Sequence, residues 1–195
     1  MSTATPATQA LKRAGVAFRT IEYDYVAGQD RIGLHAAEAI GVPPERVLKT
    51  LMVEVDGKPA CAVIPSDRTL SMKRVAAAFG GKSAHMMPPE KAERLTGFHT
   101  GGISPFGQKR RVPVAFEDTA AAAEVVINGG RRGLMVALAY ADALRGAGDA
   151  PFGQERVEGD QQVEVEPAQA GLVGVVGHGG ASRAETGDQD VAAVP

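Results

Sequence analysis

Apolar positions follow two periods along this chain, and the change from one to the other divides it into elements. Pro6–Ala14 has helical spacing, with Thr5 as N-cap, Pro6 at the first helical position and Gly15 as the stop. Val16–Tyr23 reads as a strand. After a loop containing Gly28, Ile32–Ile40 reads as a short helix closed by Gly41, and Pro43-Pro44 opens a further turn. Val47–Val55 and Ala60–Pro65 are strands joined by Asp56-Gly57, a strong hairpin signal. Ser71 caps a helix that runs to Phe79 and ends at Gly80-Gly81. Pro88–Leu95 is helical, and Thr100–Gln108 is a loop punctuated by glycine and proline. Val112–Phe116, Val125–Asn128 and Leu134–Leu138 are strand-like, and Ala141–Ala147 fits a last helix. One clear hairpin and no regular βαβ alternation predict an α+β domain with a mixed, mainly antiparallel sheet.

The pattern lapses after about Pro151. Arg156–Pro195 has no aromatic residue and seven glycines, and reads as a largely disordered acidic tail in which Val163–Val165 and Leu172–Val176 could order locally. The expected organisation is a domain over 1–150 and a tail over 151–195. From Arg156 onward seven acidic residues face two basic ones, a net of −5, which leaves the body at +3. A mildly basic body accommodates an anionic partner without demanding one. The single cysteine, Cys61, cannot form an internal disulfide. The opening MSTATPATQA does not have the form of a signal peptide, and no apolar run is long enough to span a bilayer. The expectation is a cytoplasmic protein.

Three places could carry chemistry. Lys49 shares a strand face with Val47, Leu51, Val53 and Val55 by the alternation of side chains. Either it reaches solvent at the strand end or it projects a cation into a pocket, because an unpaired buried ammonium is costly. Gly101-Gly102-Ile103-Ser104 is either an ordinary loop or a set of backbone N–H donors for an anion. Asn128-Gly129-Gly130, followed by Arg131-Arg132-Gly133, is either a hairpin turn or a second glycine-rich wall. Basic clusters at Lys73-Arg74, Lys109-Arg110-Arg111 and Arg131-Arg132 are solvated surface or contacts to a nucleic-acid backbone. Aromatics make up only 5% with no Trp, which argues against a base-stacking surface. No P-loop, HExxH, CxxC or GxSxG occurs, so no metal, cofactor or nucleophile elbow is expected. Cys61 lies in an apolar run and reads as core.

Four stretches in order resemble the YbaK/EbsC family, the YbaK-type Cys-tRNA(Pro) deacylases related to the editing domain of bacterial prolyl-tRNA synthetase. They are Val47-Leu48-Lys49-Thr50-Leu51; Gly101-Gly102-Ile103-Ser104-Pro105 with Gly107-Gln108-Lys109; Gly129-Gly130-Arg131-Arg132-Gly133-Leu134; and the opening TPA…L…G…F pattern ending near Tyr23. The resemblance covers about residues 5–150. It implies a curved, barrel-like sheet with a small pocket, and removal of cysteine from tRNA(Pro). By motif, Lys49 would be catalytic, Tyr23 and Thr50 would line the pocket, and Gly101, Gly102, Ile103, Ser104, Asn128, Gly129 and Gly130 would bind the substrate. It also implies attack by the substrate's own thiol, releasing tRNA and a thiolactone. The implied partners are the acceptor end of an aminoacyl-tRNA and a prolyl-tRNA synthetase, with no membrane and no DNA. Two positions depart from the family pattern: Asn128 stands where serine is common, and Met135 where an acidic residue is common. The alternatives are the same fold acting on another residue such as alanine, or a non-catalytic binding module.

Overall fold

The computed structural model describes residues 2–26, 32–117, 124–148 and 172–176. Helices α1 (Pro6–Arg13), α2 (Ile32–Ile40), α3 (Met72–Ala78), α4 (Pro89–Thr96) and α5 (Tyr140–Gly148) surround one sheet. Its strands are β1 (Arg19–Glu22), β2 (Val47–Val55), β3 (Lys58–Pro65), β4 (Ala84–Met86), β5 (Val114–Glu117), β6 (Glu124–Arg131), β7 (Leu134–Ala139) and β8 (Leu172–Val176). The order is β1-β7-β6-β2-β3-β5-β8, with β4 added to β2. Only β2–β6 and β3–β5 are parallel, so the sheet is mixed and mainly antiparallel, as the pattern predicts.

Local chemistry explains most of these boundaries. The Thr5 hydroxyl accepts from the Thr8 backbone at 3.1 Å, and the Thr8 hydroxyl accepts from the Thr5 backbone at 2.9 Å, which together satisfy the start of α1. Thr5 Oγ1 also donates to the Gly129 carbonyl at 2.5 Å, and so ties α1 to β6. Ser71 caps α3 as its position suggests. Asp56 and Gly57, both at positive φ, turn β2 into β3.

The apolar runs of β2 and β3 are nearly continuous because both sheet faces are covered. On one face Leu48, Met52, Cys61, Val63, Phe116, Ile127 and Val136 pack with Leu11 and Phe106. On the other, Val47, Val126, Met135 and Ala137 pack with Ala37 of α2, and Val53, Val55, Ala60 and Ala62 pack with Val75 of α3. Each fully buried Leu, Val or Phe contributes roughly 1.5–3 kcal/mol.

Two features were not visible in the sequence. β4 is three residues long, too short to show any alternation. β6 runs through Gly129 and Gly130 to Arg131, with a register shift between Asn128 and Arg131, so within the stretch Asn128–Gly133 the hairpin turns at Arg132-Gly133. Leu172–Val176 is a strand along β5, and the rest of the acidic segment lies outside the described residues.

One irregularity positions the site. β2 pairs with β3 along its length, but its other edge meets β6 only at Val47–Leu48 and β4 only at Val53–Val55. Met52 still gives its carbonyl to Met87 N at 3.0 Å. Main-chain groups alternate sides along a strand, so the N–H and C=O of Thr50 point the same way as those of Met52, into the notch between β6 and β4.

Candidate functional site

A pocket of about 270 Å³ opens at this notch. Its floor is β2 from Val47 to Met52, and α2 contributes Ile32, Gly33 and Ala36. Met86, Met87, Pro89 and Ala92 form one wall, and Thr100, Gly101, Ile103, Asn128, Met135 and Tyr23 form the others. The lining is mainly apolar. Its titratable side chains, among the described residues, are Lys49 and Tyr23.

Lys49 is half-buried at the pocket. Its ammonium donates to the carbonyls of Ser66 (3.2 Å) and Arg68 (2.5 Å), in the segment that follows β3. Those dipoles help to keep a cation beside an apolar pocket. Next to it, Thr50 Oγ1 is buried with no hydrogen-bond partner. A buried hydroxyl left unpaired typically costs about 1–3 kcal/mol, and in a pocket lining it is available to a ligand. Burial is the main cause that raises the Tyr23 phenol above its ordinary value, with backbone hydrogen bonding to Gly133 opposing it, so near neutral pH it remains a neutral donor.

The glycine loop is braced from three sides. Asn128 Nδ2 donates to the Gly101 carbonyl at 3.3 Å, and Arg132 Nε donates to the Thr100 carbonyl at 2.8 Å. Glu93 accepts from the Thr100 N–H at 2.7 Å, and this bond holds its carboxyl below the usual range. Arg132 also lies over the Tyr25 ring, 5.4 Å from its centroid. Gly101 needs φ +85°, and a Cβ on Gly102 would sit 2.8 Å from Arg132 N, so both glycines are demanded by the backbone.

The residues named from the sequence separate into two groups. Tyr23, Lys49, Thr50, Gly101, Ile103 and Asn128 come together around the pocket. Gly102, Ser104, Gly129 and Gly130 stand behind it. Gly102 N–H is bonded to His99 O, and buried Ser104 accepts from Phe106 N through its hydroxyl. Gly129 O is taken by Thr5, and Gly130 N–H bonds to Asn128 Oδ1 at 2.8 Å. Sequence reasoning missed the sulfur-rich wall of Met52, Met86 and Met87. The only signal was Met86-Met87 before Pro88-Pro89, a pattern that a core strand end would also give.

Cys61 is fully buried, and that burial pushes its thiol up to about 12, so it is protonated at neutral pH. Cys61→Ala is therefore expected to keep deacylation within about twofold of the parent. Its cost should be a core-packing loss on the order of 1 kcal/mol, read from a melting curve. A folded Cys61→Ala protein without activity would make Cys61 part of the chemistry.

Residues 34–145, more than half of the chain, match the aminoacyl-tRNA editing domain family. EbsC of Enterococcus faecalis, named as a candidate Cys-tRNA(Pro)/Cys-tRNA(Cys) deacylase, is 34% identical over 122 residues, 60% of this chain and 74% of that protein. A proline–tRNA ligase of Nitratidesulfovibrio vulgaris is 33% identical over 79 residues, 38% of this chain and 14% of the ligase. The crystal structure of a candidate trans-editing enzyme for prolyl tRNA synthetase shares the fold, with TM-score 0.66 and 22% identity over 77% of this chain and 94% of that one. No helix among the described residues is long and apolar enough to cross a membrane. With an editing-domain match over more than half of its length and a relative aligned along about three quarters of that protein's length, this chain belongs to the aminoacyl-tRNA editing domain family and is an aminoacyl-tRNA deacylase.

Proposed function

We propose that this deacylase clears cysteine from mischarged tRNA(Pro) in the cytoplasm, with a prolyl-tRNA synthetase as the source of tRNA selectivity. Residues 1–150 act as the editing domain. The observation that carries the reading is the pairing of a held cation, Lys49, with an unsatisfied hydroxyl, Thr50 Oγ1, at the floor of a small apolar pocket.

A cysteine side chain suits such a lining, because a thiol is small and only weakly polar. In the proposed reaction the substrate's sulfur attacks its own ester carbonyl carbon, and the bond from that carbon to the ribose oxygen of the tRNA breaks. The thiol proton ends on that ribose hydroxyl, and a strained thiolactone leaves. The protein then has only to orient the thiol and carbonyl and to stabilise developing negative charge. Orientation of this kind contributes roughly 7–11 kcal/mol in favourable cases. Lys49 stabilises the charge, Thr50 and the Gly101 N–H hold the ester, and Asn128 keeps the Gly101 loop in place.

Methionines at 52, 86, 87 and 135 would also accept the methyl of alanine, which has no thiol and requires a positioned water. Deacylation of purified Cys-tRNA(Pro) and Ala-tRNA(Pro) at equal concentration separates the two. We expect cysteine to be released at least about tenfold faster, within the range a small side-chain difference can supply. Alanine released as fast or faster would sink the cysteine assignment.

A further inference from the structure

We infer that Arg68, anchored by Glu117, is a positioning residue for deacylation: its side chain fixes the carbonyl that holds the Lys49 ammonium. This rests on the proposed reading of Lys49 as the catalytic cation.

The three groups form a row across the sheet. Lys49 of β2 pairs with Ile64 of β3, and the β3–β5 register, Val63 with Phe116, continues to set Glu117 beside Ile64. Directly paired residues share a face, so Lys49 and Glu117 project on the same side about two strand spacings, ~10 Å, apart. The segment Ser66–Arg68 crosses between them. Its first residue is fixed twice to Val47 O, through Ser66 N at 2.8 Å and Ser66 Oγ at 2.6 Å. Its last has one backbone bond, Arg68 N to Pro65 O at 3.2 Å, and one side-chain tie, Arg68 Nη1 to Glu117 Oε1 at 3.4 Å.

That tie has a reason to persist. The Glu117 side chain is only 9% exposed, and a carboxylate so placed requires a charged or hydrogen-bonding partner, whereas Arg68 is 43% exposed. The pair is therefore more than a surface contact, although water screens the arginine end. The Arg68 carbonyl is the shorter of the two Lys49 contacts, so releasing the arginine frees the end of the segment that holds the cation most closely. Displacement of a catalytic group by about 1 Å can lower turnover by up to 10²-fold.

The test measures steady-state deacylation of Cys-tRNA(Pro) by the full chain carrying Arg68→Gln, Glu117→Gln, Arg68→Lys or the double change Arg68→Gln/Glu117→Gln. The double variant leaves no unpaired buried charge, so it stays interpretable if a single variant unfolds. We expect kcat to fall about tenfold in the glutamine variants with KM changed less than about twofold, and Arg68→Lys to keep most of the rate. The 15N–1H signal of the Lys49 ammonium should broaden in the glutamine variants, because its hydrogen exchange is no longer slowed by two carbonyls. Full kcat in a folded double variant would overturn the inference, as would Arg68→Lys being as impaired as Arg68→Gln. The parallel Lys49→Ala measurement separates the two readings. An active Lys49→Ala protein removes the reading of Lys49 itself, whereas an inactive one beside a fully active Arg68→Gln removes only the positioning role.

Discussion

Replacing Lys49 by alanine is expected to lower deacylation at least about 100-fold while leaving the fold intact. The rate effect follows from its place: it is the cation among the titratable side chains of a mainly apolar pocket, where charge on the ester oxygen is poorly screened. Loss of one preorganised charge-stabilising group commonly costs 10²–10³-fold in kcat. The small effect on stability follows from its partners. The β2–β3 ladder on which it sits is untouched, and the nearer of the two carbonyls it leaves, that of Arg68, is exposed, so water replaces the ammonium there. A melting temperature within a few degrees of the parent should accompany the lost activity. Unchanged turnover by a well-folded Lys49→Ala protein would remove Lys49 from the mechanism.

The second large effect concerns the substrate. If the thiol attacks, Ser-tRNA(Pro) should be released at least about 100-fold more slowly than Cys-tRNA(Pro). A thiol is ionised to a few per cent near pH 7 and is intrinsically very nucleophilic, whereas a serine hydroxyl is neutral and weak without a base. The Lys49 cation near the sulfur would raise the thiolate fraction further. The two side chains are close in size, so binding should differ far less than rate, and single-turnover measurements at saturating enzyme isolate the chemical step. Equal release of the two esters would exclude thiol attack and point to a water activated in the pocket.

Much of the fold was legible because local signals agreed with the final packing. Thr5, Gly15, Asp56-Gly57, Ser71 and Gly80-Gly81 each mark a boundary that the chain obeys. The site was legible only in part. A lysine on an apolar strand face is conspicuous, and so are two adjacent glycines, but the sequence does not say which amide protons are already bonded. The Gly102 N–H is consumed by His99 O and Gly130 N–H by Asn128, details of turn geometry that a list of glycines does not contain. The same holds for the Lys49 partners. They are carbonyls of Ser66 and Arg68, and every residue carries a carbonyl, so no side-chain identity announces them.

The notch in β2 bears on how such an enzyme could change its diet. An exposed strand edge ordinarily invites a neighbouring chain to pair with it, yet here β6 and β4 close the opening at both ends and leave about three residues, or ~10 Å. That gap is too short for another strand and wide enough for an ester. Besides the Thr50 hydroxyl, the polar groups of Thr50 that face it belong to the main chain, and mutation cannot easily alter those. They are suited to what all aminoacyl esters have in common. The side chains at 52, 86, 87 and 135, by contrast, line the pocket without being part of that grip, and Met86 among them stands exposed. A lineage could therefore alter which amino acid is removed by substitutions in the methionine wall alone, and inherit the means of holding the ester unchanged.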